Sequence, residues 1–212
     1  MNTTLLSVAY APPVHYLCLL YHRTCLIEKF ETFQKQSYRN RTVVIGPGGP
    51  EALVIPVADG SGQHTPITGV RLSQHDAWYK KHWHALSSYY GKSPFFEFYE
   101  DELRPFYTAN PPGDGTLFTY NILLLQTLLR MMRLSIPLQF TTQYGEPDGE
   151  NLTHLLQPKC RYSDPRFNPL PYYQTIRPAG GFIANASAFD LLFNMGPEAA
   201  LVLRDSFSPA PQ

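Results

Sequence analysis

The chain has 212 residues, and its 17 Lys and Arg balance its 17 Asp and Glu, so the formal net charge at pH 7 is zero. Nucleic-acid surfaces and polybasic membrane segments need a clear excess of cations, and the charge balance argues against both classes. The length suits one domain with a sizeable core. We expect residues 1–205 to form that domain and residues 206–212 to form a flexible tail.

The cysteines and the N-terminus narrow the class further. Three cysteines, at 18, 25 and 160, are an odd number at spacings that do not suggest a disulfide framework. The sequence contains no CxxC motif of the kind that would predict a zinc site. The N-terminus has no basic leader, and Pro12 and Pro13 interrupt its apolar run before it reaches membrane length. We therefore predict no metal, no transmembrane segment and a cytoplasmic location, while cofactors and oligomeric state stay unknown.

The first third of the chain alternates strand and helix patterns. Short apolar runs at 4–10 and 24–30 predict buried strands, and 14–22 predicts a helix between them. The β-branched runs TVVI (42–45) and ALVIPV (52–57), joined by GPGGP, predict an antiparallel hairpin. Residues 67–72 are interpreted as a third strand of the hairpin sheet.

Helical patterns dominate after residue 73. Tyr79, Trp83, Leu86 and Tyr90 form one helical stripe, and 93–107 and 116–134 predict further helices. A strand follows at 137–144, then a loop-rich region at 145–180, then a short helix for which Ser187 is the predicted N-cap. The predicted class is α/β, with a mixed sheet, an antiparallel hairpin and a helix-rich C-terminal two-thirds.

The segment QSYRNR (36–41) contains the first candidate site. In an extended strand Arg39 and Arg41 would share one face, with Asn40 on the other. Two guanidinium groups on one face suit a phosphate or carboxylate, which they bind through paired hydrogen bonds. The alternative is an ion pair with Glu28 or Glu31. The predicted partner is a small anion: a nucleotide sugar, phosphate or carboxylate.

A histidine-rich segment follows at 74–84. His75 and His82 are the candidate acid/base residues, although Asp76 would point about 100° away from His75 on a helix. The alternative is a helix start with aromatic residues in the core. Tyr173 and Asn185, in later loops, are candidate hydrogen-bonding groups for a substrate.

Several motifs in chain order resemble the WbqC-like protein family, in its Bacteroidetes-type branch. The matching segments are YAPPV (10–14), YRNR (38–41), WHALSSYY (83–90), SPFFEFY (93–99), YYQ (172–174) and NASAFDLLFNMGPE (185–198). Two features depart from many relatives: a Trp-Gly pair is missing after the prolines, and IEKFE (27–31) replaces a strand end with paired aspartates. The resemblance therefore assigns no role to those acidic residues.

The resemblance implies a function connected with surface polysaccharide, because some members are encoded among O-antigen genes. One hypothesis is a transferase-type enzyme acting on an activated sugar or acyl donor, with Arg39, Asn40, Arg41, Tyr173 and Asn185 binding substrate. The other is a non-catalytic binding or assembly protein of the polysaccharide or envelope machinery. A concave pocket with titratable groups would favour the enzyme, and an exposed apolar patch would favour the binding protein.

Overall fold

The computed structural model describes residues 3–58, 64–145, 149–154, 158, 163–178 and 181–208. The strands are β1 (Thr3–Ser7), β2 (Cys25–Glu28), β3 (Arg41–Gly46), β4 (Gly49–Val54), β5 (Gln139–Phe140) and β6 (Gly149–Asn151). The α-helices are α1 (Val14–His22), α2 (Trp78–Tyr90), α3 (Phe96–Leu103), α4 (Leu117–Met131), α5 (Ala188–Met195) and α6 (Ala199–Asp205). The fold is α/β with a parallel sheet and an antiparallel hairpin, as the sequence predicted.

The parallel sheet has the strand order β5-β2-β1-β6. The consecutive residues Thr4, Leu5 and Leu6 of the central strand β1 are all buried, so both faces of this strand are covered. From β1 the chain crosses through α1 to β2 on one side, whereas β6 pairs with the other side of β1. The connections of neighbouring strands thus diverge between β1 and β6, which opens a crevice at the carboxyl ends of the strands.

The hairpin of β3 and β4 lies beside this sheet as a separate two-stranded unit. Its register runs from Arg41 opposite Val54 to Gly46 opposite Gly49. The turn needs a left-handed residue, and Gly49 supplies it with a φ of 113°. Val44 and Ile45 are buried, so the hairpin packs onto the helical layer rather than standing free.

The later helices enclose an aromatic core. Trp83 is buried on α2 as its helical spacing predicts, and its ring lies against Phe96 and Tyr107. Helix α5 ends at Gly196, whose φ of 51° and close packing both exclude a side chain. A Cβ there would lie 2.6 Å from the ring of Phe95.

Two predicted strands have wrong boundaries. Residues 67–72 do not form the predicted third strand: Ile67–Gly69 form a short 3-10 helix, in which the Ile67 amide donates to the Glu31 carbonyl, and Leu72 makes only an isolated antiparallel bridge with Val57, beyond the end of β4. The strand predicted at 137–144 is only Gln139–Phe140, and the short strand β6 lies where loops were predicted. Ser206 and Phe207, the first two residues of the predicted tail, are buried, and the domain boundary at residue 205 stays a prediction.

The predicted capping by Ser187 is only half right. Ser187 occupies the N-cap position of α5, but its side chain makes no cap hydrogen bond. Asp190 instead accepts hydrogen bonds from the Tyr172 hydroxyl at 2.6 Å and from Gln174 Nε2 at 2.9 Å. The buried Ser187 Oγ has no hydrogen-bond partner among the described residues.

We expect Ser187→Ala to change the free energy of unfolding by less than about 0.5 kcal/mol, because no hydrogen bond is lost. Thr116→Ala is the matched comparison, since Thr116 Oγ does accept from the Thr119 amide at 3.3 Å at the start of α4. That change should cost about 0.5–2 kcal/mol. Urea unfolding of both variants measures the difference. A larger loss for Ser187→Ala than for Thr116→Ala would contradict the assignment.

Within the described residues, no helix combines the length and apolar character needed to cross a bilayer.

Candidate functional site

A polar cavity of about 260 Å³ opens at the carboxyl ends of the parallel strands. Its walls come from the ends of β1, β2 and β6 and from the loops that follow them. The lining residues are Leu5, Glu28, Glu31, Thr32, Gln34, Tyr144, Gly145, Asn151, Thr153 and His154. Open α/β sheets bind their ligands at this place, where the direction of the strand connections changes. We call it the switch-point cavity.

Glu28 is the last residue of β2 and the most unusual group in the switch-point cavity. Only 2% of the residue is exposed. Its Oε1 accepts hydrogen bonds from the Phe30 amide at 2.7 Å and from the Thr141 hydroxyl at 2.8 Å. No described residue donates a hydrogen bond to Oε2. Oε2 is not among the buried polar atoms that lack a partner, and Glu28 lines the cavity, so this oxygen is open to the cavity and can accept a hydrogen bond from a ligand.

Glu31 is the second carboxylate, and it is held in a buried ion pair with Arg39. Arg39 Nε donates to Glu31 Oε1 at 2.9 Å, and its Nη2 donates both to Glu31 Oε2 and to Ser7 Oγ. Burial raises the pKa of Glu31, and the Arg39 guanidinium opposes that rise. Ser7, the last residue of β1, ties this pair to the end of the central strand.

The rim of the switch-point cavity carries amide, hydroxyl and ring groups. Asn151 Oδ1 accepts from both the amide and the hydroxyl of Thr153, at 3.1 and 2.7 Å, which shapes the turn after β6. Gln34 Nε2 lies 3.4 Å from Nδ1 of His154. Tyr144 is 75% exposed and offers an open aromatic face.

The segment 39–41 does not form the predicted two-arginine clamp. Strand β3 begins only at Arg41, so Arg39 and Asn40 lie in a turn and the alternation of faces does not apply. Arg39 is 1% exposed and pairs with Glu31, as the alternative interpretation proposed. Arg41 and Asn40 line a different cavity, described below.

The other predicted site residues lie apart from the switch-point cavity. His82 is buried, with Nδ1 3.0 Å from the Tyr10 hydroxyl and Nε2 3.2 Å from the Val54 carbonyl oxygen. Both ring nitrogens are therefore engaged inside the protein. His75 lies on the exposed turn before α2. Neither histidine lines the switch-point cavity, and their acid/base role stays a prediction.

Tyr173 and Asn185 lie in loops of the C-terminal segment and do not line the switch-point cavity. Tyr173 is exposed, and the Arg177 guanidinium lies 5.3 Å from the centre of its ring. Asn185, with a φ of 57°, accepts the His15 amide at 2.9 Å and so caps the first turn of α1. Pro13, at the N-cap of α1, has no side chain that could do this.

Sequence reasoning missed most of the switch-point cavity. Glu28 and Asn151 each end a strand of the parallel sheet, and such polar strand ends are the signal that would have found them. The signal was hidden because β6 was not predicted. No group of three or more His, Cys, Asp or Glu among the described residues is arranged to hold a metal ion.

The family model of the WbqC-like protein family matches residues 9–164. The chain belongs to this family. The matched region of this WbqC-like protein contains every lining residue of the switch-point cavity except Leu5. An uncharacterised protein of Mycobacterium tuberculosis, Rv1507c, is 29% identical over 81% of this chain and 84% of its own length. No solved structure matches the chain.

Proposed function

We propose that this WbqC-like protein binds a small hydroxyl-rich molecule of the sugar class in the switch-point cavity, as the acceptor in a transferase-type reaction. The observation that carries the proposal is Glu28: a buried carboxylate whose Oε2 has no donor among the described residues and which lines a polar cavity. A sugar hydroxyl donates the hydrogen bond that this oxygen lacks.

The remaining lining groups support a neutral polyhydroxyl ligand rather than an anion. Amide and hydroxyl side chains at Gln34, Asn151 and Thr153 both donate and accept, as sugar hydroxyls do. The exposed ring of Tyr144 can pack against the apolar face of a sugar ring. None of the lining residues, all within the described part of the chain, is Lys or Arg, and the nearby Arg39 is already paired with Glu31, so the lining offers a phosphate no cation.

In the proposed reaction Glu28 is the general base. As the acceptor hydroxyl oxygen forms a bond to the reactive carbon of the donor, Glu28 takes the hydroxyl proton. The bond between that carbon and its leaving group breaks, and the leaving group departs with the electron pair. The donor class, an activated sugar or acyl group, comes from the connection of the family with surface polysaccharide.

Replacing Glu28 by Gln should weaken saccharide binding by about tenfold or more, because a charged hydrogen bond contributes about 1.5–3 kcal/mol. Gln still accepts from the Phe30 amide and the Thr141 hydroxyl, so the strand end keeps its shape. A thermal-shift and titration panel of monosaccharides, tested against both proteins, measures the change. Glu97→Gln makes the same chemical change on an exposed face and should leave binding unaltered.

Transfer is tested separately from binding. Ligands found in the panel are mixed with nucleotide sugars or acyl thioesters, and product is detected by mass spectrometry. Product with the native protein and strongly reduced product with Glu28→Gln would support the general base. Saccharide binding without transfer from either donor class would instead support the binding or assembly protein. Absence of saccharide binding by the native protein would end the proposal.

A further inference from the structure

A second cavity, of about 220 Å³, lies between the 33–41 segment and the outer edge of β4. Its walls are mostly apolar, with Phe33, Val54 and Val57 forming them. Val54 is 45% exposed, which is unusual for a valine in a strand of a packed hairpin. The polar groups around the cavity are Lys35, Gln36, Asn40 and Arg41. We call this the hairpin cavity.

Asn40 holds an unsatisfied acceptor in the wall of the hairpin cavity. Its Nδ2 donates to the Ile55 carbonyl at 2.9 Å. That carbonyl can only accept, so the orientation of the amide is determined and Oδ1 must point the other way. Oδ1 is buried and has no hydrogen-bond partner among the described residues, although Asn40 as a whole is only 7% exposed. A ligand with an O–H or N–H at this point would satisfy it.

Arg41 holds an unsatisfied donor in the wall of the same cavity. Its Nε is buried and has no partner within the described part of the chain. Lys35 adds a second, exposed cation to the rim, and no Asp or Glu lines this cavity. The site is therefore positively charged, with a planar guanidinium that suits a carboxylate.

We propose that the hairpin cavity binds a small organic acid with an apolar body and a hydroxyl group next to its carboxylate. The carboxylate pairs with Arg41 and lies near Lys35. The apolar body covers Phe33, Val54 and Val57, and the hydroxyl donates to Asn40 Oδ1. Arg39 and Arg41 thus have different roles. Arg39 neutralises Glu31, which lines the switch-point cavity, whereas Arg41 binds the anionic ligand without help from Arg39. This site does not depend on the proposed sugar site.

Three related compounds separate the two polar contacts. 3-Phenyllactate carries both the carboxylate and the neighbouring hydroxyl, 3-phenylpropionate lacks the hydroxyl, and 3-phenyl-1-propanol lacks the carboxylate. We expect saturable binding of phenyllactate by calorimetry, and shifts of the Val54 and Val57 methyl signals by NMR. Loss of either group should weaken binding by roughly fivefold or more, with the carboxylate having the larger effect.

Arg41→Gln should reduce phenyllactate affinity by about tenfold or more and abolish the advantage of the carboxylate over the alcohol. Arg104→Gln removes an exposed cation far from this cavity's lining and should leave the affinity for phenyllactate unchanged. Arg41→Gln should keep its saccharide binding, which separates failure of this site from failure of the proposed function. The proposal is overturned if phenyllactate does not bind saturably, or if Arg41→Gln binds it normally. Should the variant not fold, equal affinity of the native protein for all three compounds would overturn it as well.

Discussion

Arg39→Met should lower the free energy of unfolding by about 3–5 kcal/mol, because it leaves the Glu31 carboxylate buried without its cation. Arg39 is fully buried, and it also donates to Ser7, so no solvent compensates for the loss. Chemical denaturation of the native and variant proteins at neutral pH measures the difference. A loss below about 1 kcal/mol would show that the pair is open to water.

Two comparisons separate charge from packing. Arg130→Met breaks the exposed pair with Glu102, and it should cost less than about 1 kcal/mol. The double change Arg39→Met with Glu31→Leu should recover most of the loss, since it removes both charges.

The Arg39→Met deficit should also shrink on acidification. Without the guanidinium the pKa of Glu31 rises further above its unfolded value, and the folded state then binds more protons than the unfolded chain. Stability of the variant relative to the native protein therefore increases as pH falls.

The protein should lose about 3 kcal/mol of stability through His82 as the pH falls from 6.5 to 4. Burial, assisted by the nearby charge of Lys81, lowers the pKa of His82 to about 4. In that window the unfolded chain binds a proton that the folded protein does not, so protons favour unfolding. Above about pH 7.5 neither state binds this proton, and the contribution of His82 is constant. Unfolding curves at intervals of pH measure the slope.

His82→Gln is the variant that isolates this effect. The Gln amide can still donate to the Val54 carbonyl and accept from the Tyr10 hydroxyl, but it does not titrate. Its stability should therefore depend less steeply on pH between 6.5 and 4, whatever its stability at pH 7. Other groups with shifted pKa values, such as Asp164 and Asp190, contribute equally to both proteins. Parallel curves for the two proteins would contradict the prediction.

The fold was predicted well where the signal is local. Apolar runs and helical spacing identified β1, β2, the hairpin, α1 and α2, because each pattern reflects which face of one element is buried. The signal failed where a segment obtains its structure from distant partners. β6 has three residues, Gly149–Asn151, without β-branched side chains, and it is a strand only because the edge of β1 is available to it.

In the candidate site, too, the sequence predicted the type of residue correctly but not its partners in the tertiary structure. The arginines at 39 and 41 are recognisable in the sequence as anion-binding groups. Arg39 nevertheless pairs with Glu31 and Arg41 lines the hairpin cavity, because a turn ends just before β3. Ser187 has the residue type and position of an N-cap, but Asp190 is drawn to Tyr172 and Gln174. A side chain forms hydrogen bonds with the groups close to it in space, and spacing along the sequence does not show which distant residues those are.

The sequence by itself determined the neutral charge balance, and it determined the α/β class and most of the helices and strands because periodicity encodes local burial. The family resemblance rested separately on short motifs in chain order. Only the tertiary structure decided which polar groups meet. It brought Glu28 from the first part of the chain together with Tyr144 and Asn151 at one edge of the parallel sheet, and it buried Arg39 against Glu31. The physical reason is that desolvation and hydrogen bonding act between neighbours in space, and neighbours at the end of a parallel sheet are far apart along the chain.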